Sequence, residues 1–138
     1  MSLAEGLEEY YHKHPFLKRG HELSADARAF FRCHDAVHVV YGCDTSLTKE
    51  AVVKLSGIFG ATGGLAVLSG YALHESTDIY RKLTVLEILD TVLASLVVVP
   101  RTIWRCARQE SRWPWSQFDD RLKTPLVDLR AQSDIRVA

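Results

Sequence analysis

The chain has 138 residues, 47% hydrophobic and 25% charged, which is the size and composition of one globular domain able to bury a core without disulfides. Basic and acidic side chains balance at 17 each, so the charge gives no reason to expect a nucleic-acid partner. The odd number of cysteines (Cys33, Cys43 and Cys106) favours a reducing, intracellular setting, and the first 15 residues lack the apolar segment of a signal peptide.

Two helices are predicted in the first third of the chain. Apolar side chains recur at helical spacing from about Leu3 to Tyr11. Ser24 is a suitable N-cap for a second helix that runs without Gly or Pro to about Tyr41 and ends at Gly42. The inward face of this second helix is predicted from a stripe at a period of 3.6 residues, formed by Phe30, His34, Val37, His38 and Tyr41.

Two histidines on this helix form a candidate metal site. His34 and His38 stand four residues apart, so their imidazoles project from one face, and Glu50 follows after eleven further residues. Two imidazoles and a carboxylate from a neighbouring segment can hold one metal ion and leave a position open for water or substrate. Asp35, rotated about 100° from His34, is a candidate fourth ligand, a hydrogen-bond acceptor for an imidazole N–H, or a proton-transfer group.

Each of these residues also has an ordinary structural interpretation. The histidines could be core residues beside a surface aspartate, and a glutamate in the first turn of a helix is common. Glu50 falls in the first turn of a third helix predicted to open near Leu47, after the short loop GCDTS. If that helix folds back on the second one, Glu50 faces both histidines, and this combination favours the metal site. A zincin peptidase is disfavoured, because Asp35 replaces the zincin glutamate and no further zincin element follows.

The pattern His-Asp-x-x-His, eleven residues and Glu resembles the signature of the coenzyme Q biosynthesis protein 4 family. Gly42, Lys54 and the closing segment PLVDLRAQSDIR (residues 125–136) are also similar to that family. The resemblance implies that one divalent metal ion, usually taken to be zinc, is held by His34, Asp35, His38 and Glu50. Imidazoles with carboxylates also suit non-haem iron, so the identity of the metal stays open.

The resemblance further implies a role in ubiquinone synthesis. The family is associated with removing the C1 carboxyl group of a prenylated quinone-ring precursor and oxidising that carbon, and Asp35 is then a candidate catalytic group. The family is also described as organising other ubiquinone biosynthesis proteins. It is peripheral to the membrane, which implies the cytoplasmic side of a bacterial inner membrane or the matrix side of an organellar inner membrane.

Residues 55–73 are apolar, uncharged and rich in glycine, at Gly57, Gly60, Gly63, Gly64 and Gly70. We expect a buried helix or a broken helix pair, since each glycine costs about 1 kcal/mol in a helix relative to alanine. The sharper alternative is an apolar groove along a polyprenyl tail, with Gly57, Gly60 and Gly64 as candidate lipid-binding residues. A membrane span is the third alternative, and an exposed Gly-rich face could instead form a homodimer.

A later helix is predicted from a cap at Thr84 through Val99, ending before Pro100. Arg101, Arg105, Arg108 and Arg112 then recur at helical spacing, close to tryptophans. Arginine with tryptophan suits an anionic membrane surface or the phosphate end of a polyprenyl ligand, so Arg101 and Arg105 are candidate lipid-binding residues. The alternative is a solvated basic face whose tryptophans close the core.

Periodicity and caps together predict one all-α domain over residues 1–138, a compact bundle of about five to seven helices that ends in a short helix after Pro125. The first functional hypothesis is a metal-dependent enzyme acting on a prenylated ring precursor. The alternative is a non-catalytic polyprenyl-lipid carrier or a scaffold, in which the metal only fastens two helices. A structural helical domain without metal is the third possibility.

Overall fold

The structure, a computed structural model, describes residues 1–15, 17, 23–71 and 85–137, and of residues 85–91 the backbone only. The described ranges contain six helices and no strand, which confirms the all-α prediction. The helices are α1 (Leu3–Lys13), α2 (Ala25–Tyr41), α3 (Leu47–Leu55), α4 (Val67–Tyr71), α5 (Val85–Ala107) and α6 (Leu126–Gln132). Shorter turns are a π-helical turn at Ser56–Gly60 and 3-10 turns at Gly64–Ala66 and Asp119–Arg121.

The helix that carries the two histidines begins and ends where its sequence predicts. The Ser24 hydroxyl accepts a hydrogen bond from the Ala27 N–H at 3.2 Å, which caps the N-terminus of α2. Gly42 ends the helix in the left-handed conformation with φ of 67°, which a residue with a side chain adopts only at a cost. The Arg130 guanidinium from α6 donates to the carbonyls of Val40 (2.8 Å) and Val39 (2.9 Å), so it satisfies acceptors in the last turn of α2.

The core lies between α1, α2, α3 and α5, with α1 on α2 and α3 packed most extensively on α5. The chain after α5 closes this core, since Trp113 and Phe118 are fully buried there. It also ties the two ends of the described chain together, because Leu3 N–H donates to Thr124 O at 3.1 Å and Leu126 N–H donates to Met1 O at 3.0 Å. This packing fixes α2 and α3 side by side, which is the arrangement that a shared site requires.

The Gly-rich stretch forms the broken helix pair rather than one helix. The π-helical turn ends at Gly60, Ala61 is extended, and the chain resumes helix only through the 3-10 turn into α4. Gly60 and Gly64 therefore do not share one helical face. No helix within the described residues is long and apolar enough to cross a membrane.

The predicted end of the fifth helix was wrong. Pro100 lies inside α5, which continues to Ala107, while the predicted cap at Thr84 lies outside the described residues. A proline lacks its N–H and leaves a carbonyl four residues earlier without a partner, but Pro100 is exposed and water can solvate that carbonyl. Because α5 ends at Ala107, only Arg101 and Arg105 belong to it, and the predicted helical line of four arginines is not formed.

Candidate metal centre

The structure brings His34, His38 and Glu50 together. Both histidines lie on the buried face of α2, and Glu50 reaches them from the first turn of α3. Glu50 Oε2 lies 3.3 Å from His34 Nε2, and Glu50 Oε1 lies 3.1 Å from His38 Nε2. One ligand atom from each residue lies within 4.8 Å of the others, and no other such group of three occurs in the described part of the chain.

The second nitrogen of each imidazole is held by a hydrogen-bond acceptor. His38 Nδ1 lies 3.2 Å from the Cys43 carbonyl, and His34 Nδ1 lies 3.3 Å from Asp35 Oδ1. A carbonyl only accepts, so His38 Nδ1 carries a proton, and Nε2 is the ring nitrogen that faces Glu50. Metal-binding histidines are commonly oriented in this way.

Burial leaves His38 Nε2 in need of a partner. The side chain is 0% exposed, and its Nε2 makes no aligned hydrogen bond although Glu50 Oε1 is close. Without a proton on Nε2, the ring nitrogen and the carboxylate oxygen would be two acceptors in an unfavourable contact, and either a proton or a metal cation between them would satisfy both. The donor atoms present therefore fit a divalent metal ion.

Without a metal ion, the charged groups of the site shift each other's pKa values strongly. Burial alone would raise the pKa of Glu50, but the imidazoles of His34 and His38, which attract the carboxylate when they are protonated, lower it to about 2. Burial alone would likewise lower the pKa of His34, but hydrogen bonds and negative charge from Asp35 and Glu50 raise it to about 9. At neutral pH, His34 without metal is thus an imidazolium between two carboxylates, and a metal ion has to displace its proton.

Comparison with protein-family models, with curated proteins and with solved structures found no match. The resemblance to the coenzyme Q biosynthesis protein 4 family therefore stays a proposal.

Asp35 is not one of the three converging residues. Its carboxylate contacts the Nδ1 edge of His34, whereas Glu50 contacts the Nε2 edge, and its second oxygen accepts a hydrogen bond from the Tyr11 hydroxyl at 2.9 Å. Of the three roles considered for Asp35, this position favours the hydrogen-bond acceptor. This contact of Tyr11 was missed in the sequence analysis, because its place in the apolar stripe of α1 gave no sign that its hydroxyl reaches α2.

Aromatic rings enclose the two imidazoles. The Tyr10 ring lies 5.2 Å from His38 between centroids, and Phe30 stacks on His34 at 5.8 Å. Tyr71 lies 5.7 Å from His34 and meets Phe30 edge to face at 4.9 Å. Such a wall limits the access of water and strengthens electrostatic interactions inside the site.

Two of the three predicted lipid-binding glycines are in contact with the protein itself. A Cβ atom at Gly57 would lie 3.0 Å from the Trp115 ring, and one at Gly60 would lie 2.5 Å from the Tyr41 hydroxyl. Nothing lies within 4 Å of the corresponding position at Gly64. The space beside Gly57 and Gly60 is thus taken by side chains of this chain, and lipid contact at these glycines stays a prediction.

The candidate residues Arg101 and Arg105 have different surroundings. Arg101 is exposed, whereas Arg105 is half-buried and lines a small cavity beside Ser56 and Gln109. Their contact with lipid also stays a prediction.

A larger groove of about 790 Å³ lies between α1 and α2. Asp35 and Tyr11 lie on its wall, so the groove adjoins the His34 side of the metal centre. The remaining described lining consists mainly of apolar side chains with charged residues among them, namely Ala4, Glu5, Leu7, Glu8, Leu23, Arg28, Phe31, Arg32 and Leu122. An apolar groove was considered in the sequence analysis only along the glycines, as one alternative, because the position of α1 across α2 cannot be read from either helix alone.

Proposed function

We propose that this protein binds one divalent metal ion through His34, His38 and Glu50. The observation that carries the proposal is the convergence of two Nε2 atoms and one carboxylate, with both Nδ1 atoms already held by acceptors. Three protein ligands leave at least one position of a tetrahedral ion open, which is typical of catalytic zinc and not of structural zinc. The same donors suit ferrous iron, so zinc and iron are both candidate cofactors.

The resemblance supports a role for this metal in ubiquinone synthesis, on a prenylated quinone-ring precursor. When bound, the metal would act as a Lewis acid toward oxygen substituents of the ring undergoing C1 decarboxylation and oxidation. Other residues of the chain would position the metal ligands, limit water and hold the substrate. Asp35 orients His34, the aromatic wall of Tyr10, Phe30 and Tyr71 limits water, and the groove between α1 and α2 receives apolar parts of the substrate.

A non-catalytic lipid carrier or scaffold is the second candidate function. The groove favours it, because its volume lies within the usual range of about 300–1,000 Å³ for ligand pockets and its wall includes several apolar side chains. In this alternative the metal joins α2 to α3 and performs no chemistry. A scaffold would also contact other ubiquinone biosynthesis proteins.

An exposed face of α5 supports peripheral contact with a membrane. The large side chains on this face are 52–71% exposed, and they are Val92, Leu93, Leu96, Val97 and Trp104. Arg101 and Arg105 flank the face, and the Arg108 guanidinium lies 4.6 Å from the centre of the Trp104 ring. No acidic residue occurs between positions 92 and 108.

Apolar side chains bordered by arginine and tryptophan suit an anionic bilayer surface, such as the cytoplasmic or matrix side of an inner membrane. A symmetric homodimer through this face is the less favoured alternative. Two copies would bring arginines of like charge toward each other.

Metal analysis tests the central proposal. Protein purified without chelator and then supplied with zinc or ferrous iron should hold about one ion per chain. His38→Ala should hold none, while the matched control His12→Ala, which changes an exposed histidine, should behave as wild type. Circular dichroism confirms that the variants fold. Wild-type protein that takes up neither ion would overturn the proposal.

Turnover separates the two functions. Metal-loaded protein incubated with a prenylated hydroxybenzoate and oxygen should release carbon dioxide if it is the enzyme. Bound lipid without release of carbon dioxide favours the carrier.

A further inference from the structure

A chain of hydrogen bonds connects α1 to the candidate metal centre. The Tyr11 hydroxyl donates to Asp35 Oδ2 at 2.9 Å, and Asp35 Oδ1 lies 3.3 Å from His34 Nδ1. The opposite nitrogen of the same ring, His34 Nε2, faces Glu50. The two oxygens of one carboxylate are thus shared between a tyrosine and a candidate metal ligand.

Asp35 needs an external constraint to serve His34. Neighbouring residues of a helix point in directions about 100° apart, so adjacent side chains do not naturally face each other. The Asp35 carboxylate must therefore turn toward His34 along the surface of α2, and several other rotamers would aim it elsewhere. Tyr11, which lies on a different helix, holds the second oxygen and favours the rotamer that meets His34.

We propose that Tyr11 is a positioning residue of the metal centre, acting through Asp35 on the orientation of His34. This inference rests on the proposed binding of metal by His34, His38 and Glu50. The hydroxyl is the group that matters, because the Tyr11 ring also lines the groove and would do so equally well as phenylalanine. Removing the hydroxyl frees the Asp35 carboxylate to rotate, which loosens the His34 ring and weakens its bond to the metal.

Tyr11→Phe tests this role with a small change. Zinc affinity is measured by competition with a chromogenic chelator, and cobalt(II) is substituted to record the visible absorption spectrum of the site. We expect zinc affinity to fall about 10-fold or more, the range for partners that orient metal ligands. We also expect the cobalt spectrum to change, because it reports the geometry around the ion and not the stability of the fold.

Tyr41→Phe is the matched control. It removes a tyrosine hydroxyl that donates to the Gly60 carbonyl at 3.2 Å and accepts from Gln109 Nε2 at 2.7 Å, none of them residues of the site. Its zinc affinity and cobalt spectrum should equal those of wild type, even if its melting temperature falls. Tyr11→Phe should fold like wild type by circular dichroism, since the ring is retained.

A double variant tests whether Tyr11 acts on His34 through Asp35. In an Asp35→Ala background, adding Tyr11→Phe should change zinc affinity less than twofold, because the intermediary is already absent. If Tyr11→Phe lowered zinc affinity in that background as much as it does in wild type, Tyr11 would not act through Asp35, and the inference would be overturned. Tyr11→Phe binding zinc as tightly as wild type would overturn it as well. Wild-type protein that binds no zinc or cobalt would instead remove the proposed function, and this inference with it.

Discussion

Raising the pH from 6.5 to 9 should destabilise the metal-free protein, because His34 loses a proton that the fold holds tightly. The pKa of His34 is about 9 in the folded protein and about 6.5 in an unfolded chain. A raised folded-state pKa contributes stability that is fully present below pH 6.5 and is lost as the pH rises through 9. At about 1.4 kcal/mol for each pH unit, the interval corresponds to about 3 kcal/mol.

Protonation of Glu50 should weaken the same interaction at low pH. Its folded-state pKa of about 2 lies below the ordinary 4.5, so its contribution is present above pH 4.5 and is lost as the pH falls toward 2. The two shifts describe largely one attraction, between Glu50 and the histidines, and their energies are not added. The stability contributed by this interaction should therefore be greatest between about pH 4.5 and 6.5.

Urea unfolding in the presence of EDTA, followed by circular dichroism at pH 5.5, 6.5, 7.5 and 8.5, measures this dependence. The free energy of unfolding should be flat to pH 6.5 and fall steadily above it, while zinc affinity should rise over the same interval as the competing proton leaves. His34→Gln should lose the slope, and His12→Gln should keep it. A wild-type free energy of unfolding that is constant between pH 6.5 and 8.5 would refute the reasoning.

Three further changes test the site, the exposed face and the packing. Glu50→Gln keeps the shape of the side chain but removes its charge, so zinc affinity measured by chelator competition should fall at least about 100-fold; an unchanged affinity would exclude Glu50 as a ligand. Leu93→Glu with Leu96→Glu should abolish binding to phosphatidylserine vesicles in flotation and change the free energy of unfolding by less than about 0.5 kcal/mol. A chain unfolded by that pair would show instead that protein covers the α5 face. Gly60→Ala should cost about 1–3 kcal/mol in urea unfolding, because the new Cβ would lie 2.5 Å from the Tyr41 hydroxyl and 2.9 Å from Cys106 Sγ; wild-type stability would contradict the tight packing there.

Capping residues and helical spacing were sufficient to predict α2 and α3, the two helices that carry the candidate site. Ser24 and Gly42 define α2 because capping depends on a few neighbouring residues, and the four-residue spacing puts His34 and His38 on one face in any α-helix. Glu50 falls in the first turn of α3 for the same reason. The resemblance to a family motif added the expectation that these three meet, and the structure brings them within contact distance.

Other features depended on contacts between distant parts of the chain. Pro100 is usually a helix terminator, yet α5 continues through it because the proline lies on the solvent side. The space beside Gly57 and Gly60 is filled by Trp115 and Tyr41, and a groove lies between α1 and α2 instead. None of these outcomes follows from helical period or capping.

Asp35 shows most clearly which features follow from the sequence and which follow only from the tertiary structure. The sequence by itself determined that an aspartate stands beside a candidate metal-ligand histidine, and it left three roles for that aspartate open. The tertiary structure favours the hydrogen-bond acceptor, because it brings the Tyr11 hydroxyl from α1, 24 positions away, against the second oxygen of Asp35. Helical period and caps are set by neighbours within about four residues, whereas the partner of a buried carboxylate is set by which helices pack together.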